Sequence, residues 1–158
     1  MTSLASDVLT ALKGHSLVTA ESITGGGIGA ALTAVPGASS VYKGGIISYC
    51  DEVKAAALGV APGILRRIGA VSAPVAEAMA AGARKALRAD VAVSVTGLAG
   101  PDGDSYGNPV GTVFIGYADE RGSCAVRARF SGTREEIRQQ TVDKALELIL
   151  IKYQETGH

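Results

Sequence analysis

LVTAESITGGGIGAA, residues Leu17 to Ala31, begins as a short apolar strand, breaks at Ala20-Glu21-Ser22, and re-enters through Thr24, Gly25, Gly26 and Gly27 as the start of a helix. A strand-to-helix junction turns free backbone N–H groups outward at the positive end of the helix dipole, and glycines let a ligand come close to that backbone. Anions and developing oxyanions suit such a site. The same glycines also serve a plain turn or a tight helix-on-sheet contact, and that reading stays open. The polar trio Glu21, Ser22 and Thr24 among the glycines favours a functional junction.

Working outward, the whole chain has the composition of a compact α/β protein. Its 158 residues suffice for one domain with its own core, and 47% hydrophobic against 19% charged residues argues against disorder. Lysine plus arginine equals aspartate plus glutamate at 15 each, so no net basic field recommends nucleic acid or an anionic membrane as a partner. Cys50 and Cys124 lie far apart with no cysteine or histidine at metal-ligand spacing, and read as reduced structural thiols. No run approaches the roughly 20 apolar residues of a membrane span. The N-terminus lacks the pattern of a signal peptide, so a cytoplasmic location is expected.

Upstream of the junction, Leu4, Val8, Leu9 and Leu12 have helical spacing and Gly14 ends the segment; His15 falls in the turn that follows. Downstream, the helix from about Gly25 to Ala34 stops before Pro36-Gly37. Lys43 to Tyr49 is the next extended run, and the adjacent Ile46 and Ile47 suggest a strand covered on both faces. A helical pattern then runs from Cys50 to Leu58, with Lys54 in its first turns just past the end of a strand. Taken alone, Lys54 reads first as a solvated surface lysine. Ser72 opens a further helix, its hydroxyl available as a cap and Val75, Met79, Ala83, Ala86 and Leu87 forming the buried stripe.

Val91 to Val95 reads as a central strand that ends in a second glycine-rich loop, Thr96 to Gly103. In open α/β sheets ligands collect outside the carboxyl ends of strands, so the two loops are expected to share a pocket. Val110–Ala118 and Cys124–Phe130 flank a turn and form an antiparallel hairpin. Thr133 and Glu136 have capping-box spacing before a final helix whose apolar face is Val142, Ala145, Leu146, Ile149, Leu150 and Tyr153. With no internal repeat and no linker, residues 1–158 are expected to form one three-layer α/β/α domain around a mixed, mostly parallel sheet.

The segments AESITGG from Ala20, Gly45 to Lys54, GAVS from Gly69, VTGLAGPDG from Val95 and PVGTV from Pro109 stand in one order, and in that order the chain resembles the CinA C-terminal domain family. The resemblance covers roughly residues 4 to 150 and is to the stand-alone, nicotinamide-nucleotide amidohydrolase form. It implies a five-stranded sheet, no metal and no organic cofactor, a homo-oligomer, and hydrolysis of the carboxamide of nicotinamide mononucleotide with release of ammonia. On the matching positions it implies Ser22 as nucleophile and Lys54 as base, with Thr96 orienting the base or the amide. For substrate binding it implies backbone donors around Thr24, Gly25, Gly26 and Gly97, Tyr49 on the pyridine ring, Arg134 and Arg138 toward the phosphate, and Glu21 supporting Ser22 or Lys54. Tyr49 as a rim residue and the arginines as helix support are the plainer alternatives.

Four positions depart from the family pattern: Ile23 where cysteine is common, Cys50-Asp51 for serine-asparagine, and Asn108 for a lysine. A carboxylate at Asp51 would raise the pKa of a nearby lysine. The competing functional reading is a nucleotide-binding or protein-interaction module of the same family without hydrolysis. A pocket with Ser22 and Lys54 out of mutual reach would favour the module, and a fully exposed Lys54 would count against the serine-lysine scheme.

Overall fold

The computed structural model describes residues 3–157. Strand β1 (Leu17–Glu21) lies inside a five-stranded sheet and pairs in parallel with both β2 (Tyr42–Ile47) and β3 (Val91–Gly97). Beyond β3, strands β4 (Thr112–Asp119) and β5 (Gly122–Arg129) continue antiparallel as the expected hairpin, giving the order β2-β1-β3-β4-β5. Only β4 runs against the other four directions, which is the mixed, mostly parallel sheet expected.

Helices cover both faces. Helices α1 (Leu4–Ala11), α2 (Gly27–Thr33) and α6 (Arg134–Glu155) lie on one side, over a core that includes Leu17, Ile28, Val93, Ile115 and Ile149. Helices α3 (Asp51–Leu58), α4 (Pro62–Arg67) and α5 (Ala73–Leu87) lie on the other, over Val18, Ala20, Met79, Ala80 and Ala92. The two sheet faces differ in bulk: the α5 side of β3 and β4 carries Ala92, Ser94, Gly116 and Ala118, so the helix sits close. A Cβ on Gly116 would lie 2.3 Å from the Ala76 carbonyl oxygen of α5. Helix α5 packs as tightly on α3, where a Cβ on Gly82 would lie 1.9 Å from the Leu58 carbonyl oxygen.

The ends of these elements follow local chemistry. Ser3 caps α1 through its hydroxyl, accepting from the Ser6 N–H at 3.1 Å, and Thr133 with Glu136 forms the complete capping box of α6. The starts of β1 and β3 are clasped by Ser16 and Asp90: the Ser16 N–H donates to Asp90 Oδ2 at 2.8 Å, and the Asp90 N–H returns a bond to Ser16 Oγ at 2.9 Å.

Four local expectations are corrected. Strand β2 is an edge strand whose residues alternate between half-buried and exposed, and Ile47 is 56% exposed. The Ile46-Ile47 adjacency therefore marks one inward and one outward residue. The Ser72 hydroxyl donates back to the Gly69 carbonyl at 2.9 Å and does not cap α5. Ala86 is exposed, and Ala76 and Ala80 complete the buried stripe of α5, because the packing face follows the flat, small-residue side of the sheet. Thr96 and Gly97 belong to β3, paired with Phe114 and Val113, so the loop begins two residues later than the apolar run implied.

Candidate active site

The chain leaves β1 through α2 on one face and reaches β2; it leaves β2 through α3, α4 and α5 on the opposite face and reaches β3. The carboxyl end of β1 is thus the point where successive crossovers part, the place where open α/β sheets hold ligands. Ser22 is the first residue beyond β1, pinned by its N–H donating to the Val95 carbonyl at 3.1 Å. Lys54, in the first turns of α3, reaches back beneath it. The Lys54 ammonium nitrogen lies 3.1 Å from Ser22 Oγ and donates to the Ser48 carbonyl at 2.9 Å. Residues 32 apart in sequence are joined by the parallel β1–β2 pairing.

Lys54 is not a surface lysine. It is 2% exposed, and burial pushes its pKa below the ordinary 10.5, since the charged form has lost its water. Asp51, then Cys50, act in the opposite direction through their charge, as expected for a carboxylate at position 51, yet desolvation is the larger effect.

A pocket of about 260 Å³ opens over this pair. Ser22, Lys54, Thr96, Gly97, Tyr49 and Arg134 line it, with Asp51 and Asp102 at its walls. The two glycine-rich loops do share one pocket. Thr96 is buried and its hydroxyl donates to the Ala70 carbonyl at 2.9 Å, leaving lone pairs rather than a donor. Tyr49 is 62% exposed at the rim, where its hydroxyl accepts from Arg134 at 3.0 Å; the same guanidinium donates to the Gly100 carbonyl at 2.6 Å.

Other predicted residues lie around the pocket without lining it. The Glu21 carboxylate, expected to support Ser22 or Lys54, turns to the other face and caps α2. It accepts from the Thr24 hydroxyl at 2.6 Å, the Ile28 N–H at 2.8 Å and the Gly29 N–H at 3.0 Å. The positive end of α2 is therefore already neutralised by the chain itself. Gly25 and Gly26 take positive φ of 57° and 104°, which carries the backbone round from Ser22 into the helix, and the Gly25 N–H is used by the Ser22 carbonyl at 3.0 Å. Among the described residues, the N–H groups of Ile23 and Thr24 have no acceptor. Arg138 does not reach the pocket; its guanidinium donates to the carbonyls of Ile23 and Thr24, both at 3.0 Å, and braces the loop from behind.

The departures at Ile23 and Asn108 have structural explanations. Ile23 is buried in the core beneath α6. Asn108 donates to the Val71 carbonyl at 3.1 Å and to Asp104 at 2.8 Å, so it ties its own loop rather than facing a ligand. Sequence reasoning missed Ser48, whose carbonyl holds Lys54. It follows β2 directly, its N–H donating to the Glu21 carbonyl at 2.8 Å, and no local signal in the sequence marks it. Among the described residues no group of three or more histidine, cysteine, aspartate or glutamate side chains is placed to hold a metal ion, and no helix is long and apolar enough to cross a membrane.

Known proteins are similar to this chain in both sequence and fold. The model of the CinA C-terminal domain matches residues 1–153. The chain is 44% identical over 138 residues to the nicotinamide-nucleotide amidohydrolase PncC of Escherichia coli strain K12, covering 87% of this chain and 84% of that protein. It is 49% identical over 134 residues to a CinA-like protein of Prochlorococcus marinus, covering 84% of this chain but 31% of the relative, so it spans about a third of that longer protein. Among solved structures it is similar to a CinA superfamily protein of Klebsiella pneumoniae, with a TM-score of 0.93, 34% identity and 96% of each chain covered.

Proposed function

The chain belongs to the CinA C-terminal domain family, and on that footing we propose that it hydrolyses the carboxamide of nicotinamide mononucleotide to the carboxylate and ammonia, with Ser22 as nucleophile and Lys54 as base. The observation that carries this reading is the 3.1 Å approach of a buried lysine nitrogen to a serine hydroxyl at the floor of a pocket. The amidohydrolase named for this substrate in Escherichia coli supports the choice of amide.

An amide carbon is a weak electrophile, so the reaction needs an activated nucleophile and a place for the oxyanion. Neutral Lys54 takes the Ser22 proton as Oγ bonds to the carboxamide carbon. The oxyanion of the tetrahedral intermediate faces the loop that follows Ser22, where the N–H groups of Ile23 and Thr24 are unclaimed. Lys54 then gives its proton to the amide nitrogen, the C–N bond breaks, and ammonia leaves. Water attacks the resulting ester, Lys54 takes the water proton and returns it to Ser22 Oγ, and the carboxylate product departs. The depressed pKa of Lys54 serves these transfers, since a base must be free to accept near the working pH. Tyr49, Arg134, Thr96 and Gly97 all line the pocket, which supports Tyr49 and Arg134 as contacts for the ring and the ribose phosphate and Thr96 and Gly97 as the wall against the amide.

The test is ammonia release from nicotinamide mononucleotide by the wild type beside folded Ser22→Ala and Lys54→Ala variants. Turnover that falls at least about 10³-fold in both is expected, from the loss of an activated nucleophile or of its base. Turnover surviving in Ser22→Ala would remove the nucleophile from this scheme. Binding of the mononucleotide without turnover by the wild type would make the pocket a binding module.

A further inference from the structure

Ser48 lies one residue past β2 and is fully buried, and its hydroxyl oxygen has no hydrogen-bond partner among the described residues. No other buried side-chain polar atom there is left so. Its backbone, by contrast, is fully used: the Ser48 N–H donates to the Glu21 carbonyl at 2.8 Å and its carbonyl accepts from Lys54 at 2.9 Å. A buried hydroxyl without a partner is unfavourable, and such an exception calls for a reason. The neighbouring head group has the complementary deficit. Protonated Lys54 carries three N–H donors, and two acceptors are in place, Ser22 Oγ and the Ser48 carbonyl.

We propose that Ser48 is a positioning residue for the reaction: its hydroxyl accepts the remaining N–H of Lys54 once the amine has taken the proton from Ser22. Lys54 Nζ is already held at the Ser48 carbonyl, 2.9 Å away, and a serine hydroxyl has three staggered positions about its Cα–Cβ bond from which to meet it. The contact is weak while the amine is neutral and strong when it is cationic, because hydrogen bonds to charged groups are roughly twice as strong. Ser48 thereby steadies the ammonium between two proton transfers, aimed first at Ser22 and then at the departing nitrogen. This rests on the serine-lysine reading above.

The experiment is an NMR titration of protein labelled on its lysine side chains, with Lys54 assigned from a Lys54→Met variant, in the wild type, Ser48→Ala, Ser48→Cys and Ser48→Thr. Loss of an acceptor disfavours the cation, so the Lys54 pKa is expected to fall by about one unit in the alanine and cysteine variants and to return in the threonine variant. The other titratable groups around Lys54, Asp51 on α3 and Cys50 just before it, Asp102 on the pocket wall and Arg134 from α6, are the same in all four proteins. Thermal stability of Ser48→Ala is expected at or above the wild-type value, while kcat falls about tenfold with KM unchanged and the acid limb of the pH profile moves down with the pKa. An unaltered Lys54 pKa in both Ser48→Ala and Ser48→Cys would overturn the proposal. Absence of ammonia release by the wild type would instead overturn the reaction, and the titration would still decide whether the hydroxyl serves the lysine.

Discussion

Glycine in the middle of a helix costs about 1 kcal/mol relative to alanine, so Gly82→Ala in α5 would ordinarily stabilise the protein. Here the sign reverses. The added Cβ would meet the Leu58 carbonyl oxygen at 1.9 Å and its carbon at 2.8 Å, where ordinary contact begins at 3.4 Å. Both atoms are backbone, so α3 and α5 must part by roughly 1.5 Å, and overpacking of this kind costs about 1–3 kcal/mol. Net of the propensity gain, a loss of about 1 kcal/mol is expected, which lowers Tm by roughly 2–4 °C in a chain of this size. With Lys54 as the proposed base, the larger effect is expected on turnover. Helix α3 carries Lys54, and its 3.1 Å approach to Ser22 has only about 0.4 Å of slack before the bond is lost beyond about 3.5 Å. Misplacement of a catalytic group by about 1 Å costs on the order of 10²-fold. Gly63→Ala in α4, where a Cβ meets nothing within 4 Å, is the control and leaves turnover intact. Ammonia release and thermal unfolding of both variants decide the matter. A Gly82→Ala protein with raised Tm and full turnover would refute the claim that this crossing sets the position of Lys54.

The depressed pKa of Lys54 also governs stability: between that pKa and the unfolded value near 10.5 the unfolded chain binds more protons, so stability must rise with pH across this window. Lys54→Met should flatten that rise in denaturant titrations at successive pH values; a rise of the same slope in the variant would assign it to other groups. Glu21→Gln replaces a carboxylate that accepts from Thr24, Ile28 and Gly29 with an amide that can satisfy them only in part. The expected loss is about 2–3 kcal/mol at neutral pH, seen as a fall in Tm of roughly 4–12 °C, and an unchanged Tm would remove Glu21 from its capping role.

Much of the fold is legible in the residues because local signals agree. The Ser3 and Thr133 caps, the apolar face of α6 and the hairpin each depend on neighbours within a few positions. Ser22 is legible too, since it ends an apolar run and begins a glycine turn. What could not be read depends on distant packing. Whether β2 lies at an edge is set by which strand pairs beyond it, and no property of Lys43 to Ile47 reports that. The direction of the Glu21 side chain follows from strand alternation: Thr19 and Glu21 face α2, while Ala20 and Ser22 face α3 and α5. Lys54 has the same local sequence whether solvated or buried. The close α3–α5 crossing at Gly82 and the contacts to Ser22 and the Ser48 carbonyl, all distant in sequence or set by packing, decide between them.

The clasp between Ser16 and Asp90 joins residues 74 apart, and it closes the sheet beside the strand on which Ser22 is perched. Contacts this distant carry the cost of a long loop closure before they return any stability, so they belong to the slow part of folding. Helices and the β4–β5 hairpin can form from near neighbours, but β1 acquires its second partner only when the chain has come back on itself. A chain with its helices and hairpin formed but β1 paired on one side only does not yet hold Ser22 against the Val95 carbonyl of β3.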